Sequence, residues 1–298
     1  MLPRPSRMLL APASPGYRVK NTNRKIMPYS TRNGLRIHYE VHGDGPPMVL
    51  IHANPFDRRL WLYQIARFSA FYRVIAVDLR GYGHSDKPEA AFTLADMLDD
   101  VLGVCADEGV TRAIFAGVSV GSGISLLASI TRPDMVAAAI LVGGSSAGPR
   151  DVNAILAGFE GKPLGEHLMH LMRGYVAPGF ADTPLGDYLL NLFVENSAAL
   201  SAPCIANIFR ARASCNMTES LGGVPLPVLV VNGAFDGSLP AGRRTASMLP
   251  NAEHVVIDDA GHACCLEKPQ AFDAAIIAFL ARNGLAASGL SHVRGSQS

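Results

Sequence analysis

The chain has 298 residues, 49% of them apolar, and carries 26 Lys and Arg against 25 Asp and Glu, a net charge of +1. That length and composition suit one large core, and a balanced charge without long basic or acidic runs excludes nucleic acid and an anionic membrane surface as partners. A small, nearly neutral molecule is the expected ligand, and a homo-oligomer is left open.

Residues 1–26 begin "MLPRPSRMLLAPASPG", where proline interrupts the apolar patch before it reaches the length of a secretory leader. This stretch is expected to be disordered and outside the fold, with Met27 as a candidate start of translation. No apolar run approaches the roughly 20 residues of a membrane span. The five cysteines, an odd number without a CxxC pair, read as free thiols of a cytoplasmic protein.

In "LRIHYEVH", Leu35, Ile37, Tyr39 and Val41 alternate with Arg36, His38, Glu40 and His42, which predicts an antiparallel edge strand with one wet face. Unbroken apolar runs follow at 48–51, 74–77, 113–118, 136–142, 228–231 and 254–257, the pattern of strands covered on both faces. Between them, "TLADMLDDVLGVCADEG" opens with Thr93 and Asp96 in capping-box spacing and carries Leu94, Met97, Val101 and Val104 along one face. Alternating strands and helices predict an α/β fold, a mostly parallel central sheet with helices on both faces. Core segments are expected at 27–147 and 223–285. Residues 148–222, where strand runs vanish, are read as a helical cap or lid inserted after the sixth strand, and 286–298 as a disordered tail.

The chemistry is carried by "AGVSVGSG". Gly117-Val118-Ser119-Val120-Gly121 has the G-x-S-x-G pattern between an apolar strand and a helix-compatible "SGISLLASI", which presents a serine on a strained strand-to-helix turn. A serine hydroxyl needs a histidine to take its proton and a carboxylate to orient that histidine. Asp236 closes "VLVVNGAFD" and His262 lies in "IDDAGHACC", each just past a strand, so Ser119, Asp236 and His262 are the candidate catalytic triad. The loop "GGSSAG" after the run at 136–142 offers no alternative acid, and Asp258 and Asp259 read as turn residues. The backbone N–H groups of Val120 and Asn54 are the candidate oxyanion hole. His38, His42, His254 and His292 read as surface or strand residues. His167 and His170 have helical spacing without a third metal ligand nearby, and no metal or cofactor is expected.

With these motifs, residues 28–284 resemble the α/β-hydrolase fold family with a lid. "DLRGYGHS" at 78–85 is similar to a signature that follows the fourth strand in that family, which implies loop-fixing roles for Asp78, Arg80 and Ser85. His52-Ala53 departs from the family's usual His-Gly, and Ser122 replaces a common second glycine of the elbow. "HANP" is similar to a motif of haloalkane dehalogenases, but those enzymes and the related epoxide hydrolases use an aspartate nucleophile where this chain has Ser119. The segment "HANPFDRRLWLYQ" is similar to those of small-molecule esterases, enol-lactonases and cofactor-free haloperoxidases or perhydrolases. The resemblance implies a serine hydrolase of a small apolar or aromatic acyl ester or lactone. Carbon-carbon bond hydrolysis, perhydrolase or haloperoxidase chemistry on the same triad, and a non-catalytic ligand-binding role, are the alternatives.

Among the remaining residues, Trp61 is expected to pack a helix against the sheet. Met169, Met172, Leu189, Leu190, Leu192 and Phe193 are expected to form the cap's core, with some facing the cleft. Arg210 and Arg212 are expected at the solvated surface. Cys264 and Cys265 are expected to be packing residues.

Overall fold

The computed structural model describes residues 28–149, 152–160 and 162–290. Eight strands form one sheet: β1 (Tyr29–Arg32), β2 (Leu35–His42), β3 (Pro47–Ile51), β4 (Arg73–Val77), β5 (Ala113–Val118), β6 (Val136–Val142), β7 (Val228–Gly233) and β8 (Ala252–Ile257). Their spatial order is β1-β2-β4-β3-β5-β6-β7-β8. The pairs β1/β2 and β2/β4 are antiparallel and the other five are parallel.

The continuous apolar runs have a direct physical cause. Side chains alternate across a strand, so Met48, Leu50, Val74, Ala76, Ile114 and Ala116 pack into one core layer. Their neighbours Val49, Ile51, Ile75, Val77 and Phe115 pack into another. The first layer is closed by α1 (Leu62–Phe68) and α10 (Pro269–Arg282), with Trp61 buried beside Phe272. The second is closed by α2 (Leu94–Asp107) and α3 (Val120–Thr131). Both arms of the capping box form at the start of α2, where Asp96 N–H donates to Thr93 Oγ1 and Thr93 N–H to Asp96 Oδ2. Between β6 and β7 lie α4 (Asn153–Ala157), α5 (Leu164–Tyr175), α6 (Pro184–Val194) and α7 (Ala202–Ala213). The remaining helices are α8 (Leu239–Met248) and the short α9 (Cys264–Glu267).

Four expectations need correction. The run at 254–257, expected to be covered on both faces, belongs to the outer strand β8, where His254, Val255 and Val256 are only half-buried. β2 is antiparallel but is not the edge, because β1 pairs outside it through a hairpin whose turn residues Asn33 and Gly34 both have positive φ. His38 is buried rather than on a wet face, since Asp78 and Ser85 enclose it. The chain also does not leave the fold at residue 285: Ala287 and Leu290 are buried, and Tyr72 Oη donates to Leu285 O and accepts from Ala287 N–H. Residues 1–27 and 291–298, including His292, lie outside the described residues. Among the described residues, no single helix is long and apolar enough to cross a membrane.

Candidate active site

The site gathers at the carboxyl ends of the parallel strands, where loops after β3, β5, β7 and β8 meet. Ser119 follows β5 directly, with φ 55° and ψ −108°. A non-glycine residue there is strained, and the strain is held by packing on both sides of the turn. A Cβ on Gly117 would stand 2.0 Å from Gly121 O, and one on Gly121 would stand 2.2 Å from Ile51 O. Both glycines are therefore sites of backbone-to-backbone contact between strand and helix. Ser119 N–H donates to Val142 O, and Gly123 N–H caps back to Ser119 O, which anchors the turn from β6 and from the first turn of α3.

His262, after β8, is oriented by Asp236, after β7. Its Nδ1 lies 2.9 Å from Asp236 Oδ1. Asp236 is itself fixed by Asn232 Nδ2, which donates to Oδ2 at 2.8 Å, and by Ser238 N–H, which donates to Oδ1 at 2.8 Å. Burial opposes ionisation of Asp236, yet these donors and His262 outweigh it and hold the carboxyl down at about 2. The carboxylate is thus ionised at neutral pH and available to the imidazole. A Cβ on Gly143 would lie 2.7 Å from the His262 ring, so a side chain at that position after β6 would displace the imidazole. Asp258 and Asp259 are exposed turn residues.

The loop carrying His262 is tied to the end of α5. His262 N–H donates to Tyr175 O at 2.7 Å, and Ala263 N–H donates to the same oxygen. Glu267 joins the two segments from below: Oε1 accepts from Gly261 N–H at 2.9 Å and Oε2 from Ala177 N–H at 2.6 Å. Burial pushes its carboxyl pKa up, and the two amides offset part of that rise. Nothing local in "CCLEKP" marks this glutamate, whose partners come from distant segments.

Asn54 lies after β3 and is buried. His52 fixes its loop: Leu79 N–H donates to His52 Nε2 at 2.9 Å, so Nδ1 carries the proton given to Ala53 O at 2.8 Å. Burial lowers the pKa of His52, which keeps this neutral form. The Tyr82 hydroxyl donates to Asn54 Oδ1, leaving the buried Asn54 Nδ2 without a partner. Asp78 anchors the neighbouring loop by accepting from Arg58 and from His84 N–H. Ser85 bridges Asp78 O and His38 N–H, and Arg80 is paired with Asp100.

A cavity of about 870 Å³ brings Ser119, Val120, Asn54, Asp236 and His262 together. Its apolar wall includes Ile155, Tyr175, Ile208 and Phe209, all from the segment between β6 and β7. None of Met169, Met172, Leu189, Leu190, Leu192 or Phe193 lines it, which corrects the expectation that some face the cleft. Met172, Leu189, Leu190 and Phe193 instead pack with the first core layer. Arg210 is exposed as expected, but Arg212 is buried and lines the cavity. His167 is buried against the Phe159 ring, and no group of three or more metal-ligating side chains occurs among the described residues.

Such an arrangement can deliver a serine oxygen to a carbonyl, pass its proton to an imidazole held by a carboxylate, and meet the developing oxyanion with backbone donors. Known proteins are similar to this chain in sequence and fold. Residues 48–275 match the alpha/beta hydrolase family. Epoxide hydrolase 3 of Mus musculus is 32% identical over 127 residues, 41% of this chain and 35% of that protein. The dihydrolipoyllysine-residue acetyltransferase component of the acetoin cleaving system of Cupriavidus necator is 30% identical over 250 residues, 81% of this chain and 66% of that protein. The matched region spans about a third of the length of the epoxide hydrolases. The enol-lactonase of Burkholderia xenovorans LB400 is similar in structure, with a TM-score of 0.79 at 23% identity, covering 85% of this chain and 100% of that one. On the family match across most of its length, the chain belongs to the alpha/beta hydrolase family.

Proposed function

We propose that the protein is a serine hydrolase that cleaves a small carboxylic ester or lactone through an acyl-enzyme. One observation carries this reading: Ser119, held on a strained turn, shares a cavity with a His262–Asp236 pair whose carboxylate is held ionised. Ser119 Oγ attacks the carbonyl while His262 takes its proton and returns it to the leaving oxygen. Asp236 holds the imidazole in the tautomer that leaves Nε2 free to accept. The backbone N–H of Val120, at the positive end of α3, and that of Asn54 receive the oxyanion. Water activated by His262 then releases the acid. Every step uses side chains and amides of this chain.

The cavity wall of Ile155, Tyr175, Ile208 and Phe209 supports an apolar or aromatic acyl group, with α4–α7 acting as the cap over it. The similarity to an enol-lactonase supports including lactones. Epoxide hydrolases are among the sequence relatives, but the elbow here carries Ser119 where epoxide opening uses an aspartate, which favours acyl transfer. The test is hydrolysis of a chain-length series of p-nitrophenyl esters by the wild type and by Ser119→Ala, with product analysis. Turnover that is lost in Ser119→Ala supports the reading. Activity unchanged in Ser119→Ala contradicts it, as does a well-folded wild type inert to every ester and lactone but active on a vinylogous diketone or in peracid formation.

A further inference from the structure

Arg212, on α7, is 8% exposed and lines the cavity that holds Ser119 and His262. Its Nη2 donates to Ser145 O at 2.6 Å and to Ala147 O at 3.1 Å, both neutral carbonyls of the loop after β6. Its Nη1 is buried with no hydrogen-bond partner. No carboxylate among the described residues lies within ion-pair distance of it. Other arginines withdrawn from solvent are treated differently: buried Arg80 is paired with Asp100, and half-buried Arg58 with Asp78 and Glu40.

A buried guanidinium without a counter-charge is costly, and burial lowers the pKa of Arg212 accordingly. Its position adds to the cost. A Cβ on Gly123 would stand 3.0 Å from Arg212 Nε, so the side chain lies against the first turn of α3, where the helix dipole is already positive. Arg244 also lines the cavity, and its one lining carboxylate among the described residues, Asp236, is taken up by His262, Asn232 and Ser238. The cavity is therefore apolar along one wall and carries, at Arg212, a buried positive charge with no carboxylate paired to it, whereas Arg244 is exposed to solvent.

We propose that the substrate carries a carboxylate remote from its scissile carbonyl, and that Arg212 supplies its counter-charge. The substrate class is then a hemiester or a carboxyl-bearing lactone rather than a neutral ester. An anion against this wall lies beside the Arg212 charge that no carboxylate neutralises, while the oxyanion stays on the Val120 and Asn54 amides and the apolar wall takes the intervening carbons. The inference rests on the serine-hydrolase reading for the position of the reacting carbonyl, but its test needs no turnover.

The test is calorimetric titration of Ser119→Ala with the monobenzyl esters of succinate, glutarate and adipate, and with the neutral benzyl butanoate, pentanoate and hexanoate. At least one hemiester is expected to bind tenfold or more tightly than its neutral counterpart. Arg212→Gln in the same background should erase the difference, and Arg212→Lys should keep part of it, which covers the case that Arg212→Gln does not fold. Equal binding of charged and neutral esters overturns the proposal, and so does a preference that survives Arg212→Gln. Wild-type hydrolysis of neutral p-nitrophenyl esters without any preference for hemiesters would sink this inference alone and leave the serine-hydrolase reading standing.

Discussion

Glu267 offers a sharp test of how the site is assembled, because it hydrogen-bonds neither Ser119 nor the His262 ring yet joins the loop that carries His262 to the segment after α5. Replacing it with alanine orphans two buried amides, Gly261 N–H and Ala177 N–H. Each unsatisfied buried donor costs about 1–3 kcal/mol. Part of that is offset, since the carboxylate is itself disfavoured by burial. A net loss of about 2–4 kcal/mol is expected for Glu267→Ala. Because His262 and Ala263 both donate to Tyr175 O, loosening this junction also lets the imidazole drift. A displacement of about 1 Å at a reacting group costs on the order of 100-fold in rate. Glu267→Gln keeps one acceptor oxygen but turns an N–H₂ toward the other amide, so its losses should fall between. Urea denaturation followed by circular dichroism gives the stability, and kcat on a p-nitrophenyl ester gives the alignment. A Glu267→Ala protein within about 0.5 kcal/mol of wild type would refute the bonding argument. One that is destabilised with kcat unchanged would refute the positioning argument.

Three further outcomes follow from single residues. Asp273, buried beside Gln64, has its pKa raised by burial from 3.8 to about 6. The folded chain holds a proton there that the unfolded chain has lost, so this group makes stability fall as pH rises from about 4 to about 6. Asp273→Asn should match wild type near pH 3.5 and exceed it by up to about 2–3 kcal/mol at pH 8, as read from paired urea melts; a gain independent of pH would contradict this. Gly117→Ala forces a Cβ to 2.0 Å from Gly121 O, so it should cost at least about 2–3 kcal/mol and abolish turnover, and a stable, active variant would show that the elbow is looser than described. Cys264 and Cys265 are fully buried with thiol pKa values pushed up by burial, whereas Cys215 is partly exposed and lines the cavity. Peptide mapping after native iodoacetamide treatment should find label at Cys215 and none at Cys264 or Cys265.

What was readable in the sequence was whatever depends on local pattern. Strands buried on both faces must be apolar at every position, so β3 to β7 stand out as unbroken runs, and the spacing of Gly117, Ser119 and Gly121 reflects backbone contacts a few residues apart. Asn33-Gly34 is a hairpin signal as well, but β1 is too short to show an alternation of its own beside it. His38 looked solvent-facing because the group that buries it, Asp78, is 40 residues away in the chain. The case of Arg212 is instructive. Arginine is ordinarily solvated, and on that ground both Arg210 and Arg212 were expected outside. Residues two apart on a helix point to nearly opposite sides, however, and Arg212 continues the stripe Ile205, Ile208 and Phe209 at helical spacing. Periodicity therefore distinguished the two arginines where residue type did not. Leu189, Leu190 and Phe193 of α6 illustrate the converse: hydrophobicity marks burial, but not which buried surface is the cavity wall.

Ester cleavage by the proposed route requires Ser119 to form a covalent acyl intermediate. The most direct measurement is rapid quenching of the wild-type protein during turnover of a p-nitrophenyl ester, followed by intact mass and peptide mapping. An initial burst of p-nitrophenol and the acyl mass on the peptide containing Ser119 are expected, both lost in Ser119→Ala. Acylation mapped to any other residue, or equal turnover by Ser119→Ala, would contradict the proposed route.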